Sequence, residues 1–300
     1  SVRSSQFYAR RHASTVTAGG TEVPVQTTRH ISFYDCQFTS FANVNNTHAA
    51  DFHGIIEDGY YYNCKFFGGV VLAGKNVGVI GGKVISNKAQ GPLYLREVAS
   101  GSVTFKDIDC TMLAGFMSTS HSSEEMDNPK GDIIYRYENI NVKHKGTPPK
   151  NLISIPGSIN DLSYVSIFCN NIVTDFTPTE QFIFLPTGNN TKIRKMVIDN
   201  IHMPTLPFRW YRCNILNVDE NTQITLPDIV IPFEFNLPVG GEINQTIVFG
   251  TRLMHNNSQI EICITNMSVG RDVPLYVSAS NAGLDSSSYN TYNRLIIQDF

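Results

Sequence analysis

One short template recurs along this 300-residue chain, and it restricts the fold more than any bulk property does. The blocks FYDCQF (33–38), YYNCKF (61–66), VIGGKV (79–84), FKDIDC (105–110), YENINV (137–142), CNNIVT (169–174), IDNIHM (198–203) and ITNMSV (264–269) share one pattern. Two residues lead in. An Asp, Asn or Gly follows, then a small or apolar residue such as Cys, Ile, Met or Gly. The turn position is filled by Asp35, Asn63, Gly81, Asp107, Asn139, Asn171, Asn200 and Asn266. The first seven are separated by 28, 18, 26, 32, 32 and 29 residues, a spacing that signals a stacked repeat. The last gap has room for further turns, and Asn214 in YRCNIL (211–216) is expected to be one of them.

The chemistry of the template says what each repeat does. Alternating apolar residues, such as Val103 and Phe105, suit strands with one buried face. A single Asn, Asp or Gly between two such strands suits a left-handed backbone, which other residues avoid. One such residue turns the chain with almost no loop. Asn side chains stacked on successive coils can then hydrogen-bond along the stack. The Cys or Ile after the corner points inward, so Cys36 and Cys64 are expected to be buried, stacked and reduced. Three short strands per coil with one tight corner make a right-handed parallel β-helix of eight to eleven coils, an all-β solenoid. Insertions are expected at the looser corners, at 118–132, 143–151 and 175–181. A β-sandwich or propeller would instead show repeated Asn-Gly or Asp-Gly hairpins, and only Asp58-Gly59 occurs. A β-helix over 1–220 is expected to continue into 221–300. The Pro-rich stretch 226–241 is expected to be irregular, to leave the helix, cover its side or contact a neighbour.

Composition supports this and narrows the function classes. Only 16% of residues are charged, below the usual quarter, and Ser, Thr, Asn and Gly do the solvating. The net charge is −3 with no long basic run, which argues against nucleic acid as a partner. Apolar runs are strand-sized, so no membrane insertion is expected. The six Cys form no C-x-x-C, and no metal-ligand spacing, P-loop or G-x-S-x-G occurs. No metal and no cofactor is expected. The start at Ser1 lacks the apolar core of a signal peptide, and a piece of a longer or processed chain is expected.

The corner motifs N-C-x-F and D-N-I-x-M, the Ser/Thr/Asn-rich loops and the low charge carry a resemblance over most of the chain. It resembles the β-helical tailspikes and appendage proteins of bacteriophages, an architecture similar to that of pectate lyases. The resemblance implies a homotrimer of side-by-side β-helices located in the virion tail, or otherwise a secreted or cell-surface protein. It also implies binding, and often cleavage, of a bacterial surface polysaccharide or teichoic acid. The polygalacturonase elements N-T-D, D-D, G-H-G and R-I-K are absent, so no catalytic residue transfers from that family.

The densest ionisable cluster is HAADFHGIIED (48–58). With Asn63 at the corner, Asp51 and His53 lie two apart on a strand and are expected to share its outer face, with Ala50 and Phe52 inward. Glu57 and Asp58 are expected at the next corner, facing solvent. Such a set could act as general acid and base on a sugar, so Asp51, His53, Glu57 and Asp58 are the catalytic candidates. His48, Tyr60, Tyr61, Arg96 and Glu97, with His121, Glu124, Glu125 and Asp127 of the long acidic loop, are candidates for substrate binding. A plain alternative stands beside each. The pair could be a structural hydrogen bond, and the acidic loop a solvated insertion. Trp210 and Tyr211, with Arg209 and Arg212, could form an aromatic sugar platform or cover the end of the core. Two function classes therefore remain: a glycan hydrolase or lyase, and a non-catalytic receptor-binding or adhesin module on the same scaffold.

Overall fold

The computed structural model describes residues 1–9, 14–18, 28–41, 48–54, 56–86, 92–112, 117–121, 133–154, 164–185, 192–204, 209–215, 229–236, 247–253, 258–265, 275–281 and 292–298. Among these, every regular element is a strand, and every strand pairing is parallel. The chain is an all-β parallel β-solenoid.

The corners form as the template requires. Ser4, Asp35, Asn63, Asp107, Asn139, Asn171 and Asn200 all have φ between 47° and 56°, and Gly81 has 75°. Seven of these eight are template residues, and Ser4 extends the column to an earlier coil. The side chains stack into a hydrogen-bonded ladder. Asn139 Nδ2 donates to Asp107 Oδ1 (2.7 Å), Asn171 to Asn139 (2.9 Å) and Asn200 to Asn171 (3.3 Å). Asn139 and Asn171 thus each donate to one coil and accept from the next, which satisfies polar groups that a bare corner would leave to water.

Across that corner the strands run in one continuous order. Val2–Arg3 pairs with Thr28–Tyr34, then follow Ile56–Phe67, Val70–Ile85, Leu93–Met112, Ile133–His144, Tyr164–Thr174 and Lys192–His202. The order continues through Ile229–Asn236, Ser258–Thr265 and Tyr292–Gln298. Two expectations are corrected here. The middle of the Pro-rich stretch, Ile229–Asn236, stays in the helix as a strand between two others, with Pro232 in register with Glu261. Asn214 is not a corner. It lies inside Arg209–Ile215, which belongs to a different column of strands, and is paired in register with Arg252. Corner residues are skipped in the register, and Asn214 is not. Asn266 lies outside the described residues.

Inward columns build the core. Phe33, Tyr61, Val79, Phe105, Tyr137, Cys169 and Ile198 follow one another from coil to coil, all buried. Phe33 and Tyr61 stack at 5.1 Å, and Phe38 and Phe66 at 5.3 Å. Just after the corner, Cys36, Cys64, Gly82, Ile108, Ile140, Ile172 and Ile201 make the next column. Cys36 and Cys64 are buried and free, on adjacent coils. Their Sγ atoms lie 3.2 and 3.3 Å from the carbonyl oxygens of Tyr34 and Tyr62. Burial pushes the Cys64 thiol up to about 12. The thiolate is the nucleophile, so Cys64 is expected to resist iodoacetamide at pH 8 and to react only on unfolding, as peptide mass spectrometry would read out. Rapid native alkylation of Cys64 would contradict this placement.

The connections at 143–151 and 175–181 also stack. Thr179 N donates to Pro149 O (2.9 Å), Glu180 N to Lys150 O (2.9 Å), and Lys150 Nζ pairs with Glu180 (2.8 Å). These looser corners lead into a column of short strands: Ala50–Gly54, the start of Val70–Ile85, the start of Leu93–Met112, Ser118–His121, Asn151–Ser154 and Gln181–Leu185. That column carries most of the candidate site.

Candidate functional site

Five strands from separate stretches of sequence lie side by side in the short-strand column. Asp51 is in register with Val71, Val71 with Tyr94, Tyr94 with Thr119 and Thr119 with Ser154. The neighbouring column, Ala50, Val70, Leu93 and Ile153, belongs to the core cluster, as does Phe52. Val71 is buried but stands apart from that cluster. Asp51 and Val71 therefore occupy the face turned away from the core. This agrees with the direction expected for Asp51 and corrects its setting. Asp51 is only 5% exposed, not an open surface carboxylate.

Two positions further along the strands lie His53, Arg96 and His121. Arg96 and His121 are register partners, two residues past the partners Tyr94 and Thr119, and His53 is two residues past Asp51. Strand alternation puts each of these positions on the outer side of its own strand, while the coil between His53 and Arg96 is irregular after Leu72 and turns Ala73 into the core. Only the backbone of His53, Arg96, Glu97 and His121 is described. Glu124, Glu125 and Asp127 lie outside the described residues, and so do the side chains of Arg209, Trp210, Tyr211 and Arg212. His48 precedes this strand and is buried, 7% exposed.

Glu57 and Asp58 have other engagements. Glu57 Oε2 lies 2.7 Å from Arg29 Nε on the adjacent coil. Asp58 Oδ2 lies 3.3 Å from His30 Nδ1, and Asn76 Nδ2 donates to Asp58 Oδ1 at 3.2 Å. Asp58 has φ of 55°, and so belongs to a second corner ladder of His30 (57°), Asp58, Asn76 (53°) and Gly101 (80°). Ser102 N donates onward to Asn76 Oδ1 (3.1 Å). The template search missed this ladder, although its signal is legible. His30, Asp58 and Asn76 each precede a member of the first ladder, Asp35, Asn63 and Gly81, by five residues. A second tight corner one strand upstream keeps that constant offset.

The three consecutive tyrosines divide by direction. Tyr61 was expected to bind substrate, but it is fully buried, stacked on Phe52 (4.6 Å) and Phe33 (5.1 Å), where no ligand reaches it. Burial holds its phenol well above the usual range, and the Asp51 charge adds to the rise. Among the described residues the Tyr61 hydroxyl meets no hydrogen-bond partner. Tyr61→Phe is therefore expected to raise the melting temperature, because it removes a buried polar atom whose desolvation costs about 1 kcal/mol or more. A lower melting temperature would mean that the hydroxyl is satisfied.

Tyr60 and Tyr62 face outward. Tyr62 stacks on Tyr34 of the previous coil (4.7 Å, 9° between planes), and the Arg3 guanidinium lies 4.2 Å from the Tyr34 ring centroid. Further along the same outer face, Arg136 lies over Phe168 (4.8 Å), and Lys106 pairs with Glu138 (3.1 Å). Composition around the corner motif held this signal too, since Tyr34 and Tyr62 each stand immediately before a corner residue.

Among the described residues no cluster of three His, Cys, Asp or Glu has metal-site geometry, and no helix is long and apolar enough to cross a membrane. No curated protein and no solved structure matches the chain. Residues 1–206 match the protein family described as Gp49, pectin lyase-like, and the chain belongs to that family.

Proposed function

We propose that this member of the Gp49, pectin lyase-like family binds a bacterial surface polysaccharide or teichoic acid and cleaves it on the outer face of its short-strand column. The observation that carries the reading is that Asp51 and His53 lie on the same column of strands as the Arg96–His121 register pair, which stands two and three coils further along. A carboxylate and an imidazole two residues apart can move a proton, and a guanidinium further along the column can neutralise charge on the same polymer. In this reading Asp51 orients or deprotonates, His53 transfers the proton, and Arg96 with His121 holds an anionic group of the polymer further along the column. Glu57 and Asp58 act as corner supports, since their oxygens are engaged by Arg29, His30 and Asn76. The finer reading is a phage tailspike or tail appendage that acts as a homotrimer at the host surface, outside the cell.

The low exposure of Asp51 favours a second reading, a receptor-binding module that holds the glycan without cleaving it. The two separate in one assay. The protein is incubated with purified polysaccharide and teichoic acid from candidate hosts, and new reducing ends and unsaturated products are followed. Release of oligosaccharides supports cleavage. Retention of the polymer with no change in its length would leave the binding module. Neither binding nor cleavage of any host glycan would remove both readings.

A further inference from the structure

We infer that the flat outer face between the two corner ladders is a second, non-catalytic glycan-binding face that takes a negatively charged saccharide chain lying along the solenoid axis. It belongs to a different column of strands from the one that carries Asp51. One register column runs Arg3, Tyr34, Tyr62, Ile80, Lys106 and Glu138, one residue per coil. Its neighbour runs Ser32, Tyr60, Gly78, Thr104, Arg136 and Phe168.

Four features of this face fit such a ligand. Its coils repeat at roughly 4.8 Å, about the length of one linked pyranose, so the column from Arg3 to Glu138 extends roughly 24 Å and can present one residue to each sugar. In the first coils single-residue corners border it on both sides, at Asp35, Asn63 and Gly81 and at His30, Asp58 and Asn76, so neither border is an insertion. Its half-buried tyrosines join ring carbon to a phenol oxygen, a combination suited to sugars. The Tyr60 ring lies against Gly78, where an added Cβ would come within 3.0 Å of it, and its hydroxyl bonds to Ser102. Charge is the fourth feature. The acid Glu138 is neutralised by Lys106, whereas Arg3 and Arg136 lie on aromatic rings and, among the described residues, pair with no carboxylate. Over the coils from Arg3 to Glu138 the face thus carries two uncompensated guanidiniums, one at each end, and the acids of the same columns, Asp199 and Glu234, stand on later coils. A guanidinium on a ring keeps its outward N–H groups for an anion.

The ligand class rests on the reading of the chain as a glycan binder, but the face is tested separately from cleavage. Hyaluronate and alginate oligosaccharides serve as charged probes and dextran as the neutral one, with calorimetry at low and high salt. The parent is expected to bind at least one charged probe, more weakly as salt rises, and not to bind dextran. Arg3→Glu/Arg136→Glu is expected to weaken binding at least tenfold with an unchanged circular dichroism spectrum, and Arg3→Lys/Arg136→Lys to retain most of it. Equal binding by the Glu variant and the parent, or no binding of either charged probe at millimolar concentration, would overturn the assignment. So would a change of oligomeric state in the Glu variant, which would make the face a contact between copies.

Discussion

Gly82→Ala is expected to unfold the N-terminal coils rather than merely soften them. Gly82 has φ of 107°, a conformation that side chains other than hydrogen rarely adopt. A Cβ there would lie 2.1 Å from the Cys64 carbonyl oxygen and 2.8 Å from its nitrogen. Both are backbone atoms within a register that pairs Cys64 with Gly82 and Gly82 with Ile108. Relief would have to separate two coils. Strain at a special backbone position combined with a backbone clash predicts a loss of about 3 kcal/mol or more. The adjacent Gly81 makes the contrast. It is a ladder corner with φ of 75°, and its added Cβ would meet the Asn63 Oδ1 side-chain atom, which can turn away. Gly81→Asn restores the residue type of the other corners and is expected to cost about 1 kcal/mol or less. Thermal melts followed by circular dichroism compare the two, and similar melting of both variants would refute the register of these coils.

Asp51→Asn is expected to lower glycan cleavage by about 10²- to 10⁴-fold, the usual effect of losing an acid–base group, while leaving the melt close to that of the parent. Asn is the informative replacement because Asp51 is buried. Ala would leave a hole beside Val71 and confuse loss of chemistry with loss of packing. Asn keeps the volume and removes the charge and the proton acceptor. Cleavage at the parental rate would move the chemistry elsewhere on the protein. A large fall in stability together with activity would instead identify Asp51 as a structural group coupled to Tyr61.

The first corner ladder and the core columns were legible because each rests on a local requirement. Asp35, Asn63 and Asn139 must adopt positive φ, and few residue types do so cheaply. The inward Phe33, Tyr61 and Phe105 follow from alternation once that corner is fixed. The second ladder was harder to read. His30 is not an expected corner residue, and Asp58-Gly59 has the form of an ordinary turn. Asn214 misled because Asn214-Ile215 repeats the Asn-then-Ile order of the template inside a strand that has no corner there. At the candidate site, sequence gave the direction of Asp51 from its neighbours Ala50 and Phe52, but not its burial. Burial depends on how distant segments fold over a sheet face, and alternation along one strand carries no information about that. The meeting of Arg96 with His121 depends on coil registration across a 25-residue separation in number, set by loop lengths rather than by either residue.

The central claim, that a glycan is processed on the short-strand face, is tested most directly by a crystal structure of Asp51→Asn bound to oligosaccharides released by the parent protein from its host polysaccharide. The account predicts a sugar ring over the outer face of Ala50–Gly54, with its glycosidic oxygen within hydrogen-bonding reach of position 51 and the chain running toward Arg96 and His121. Oligosaccharide bound only at the Arg3–Tyr34–Tyr62 face, or a glycosidic bond held beside carboxylates other than Asp51, would contradict it.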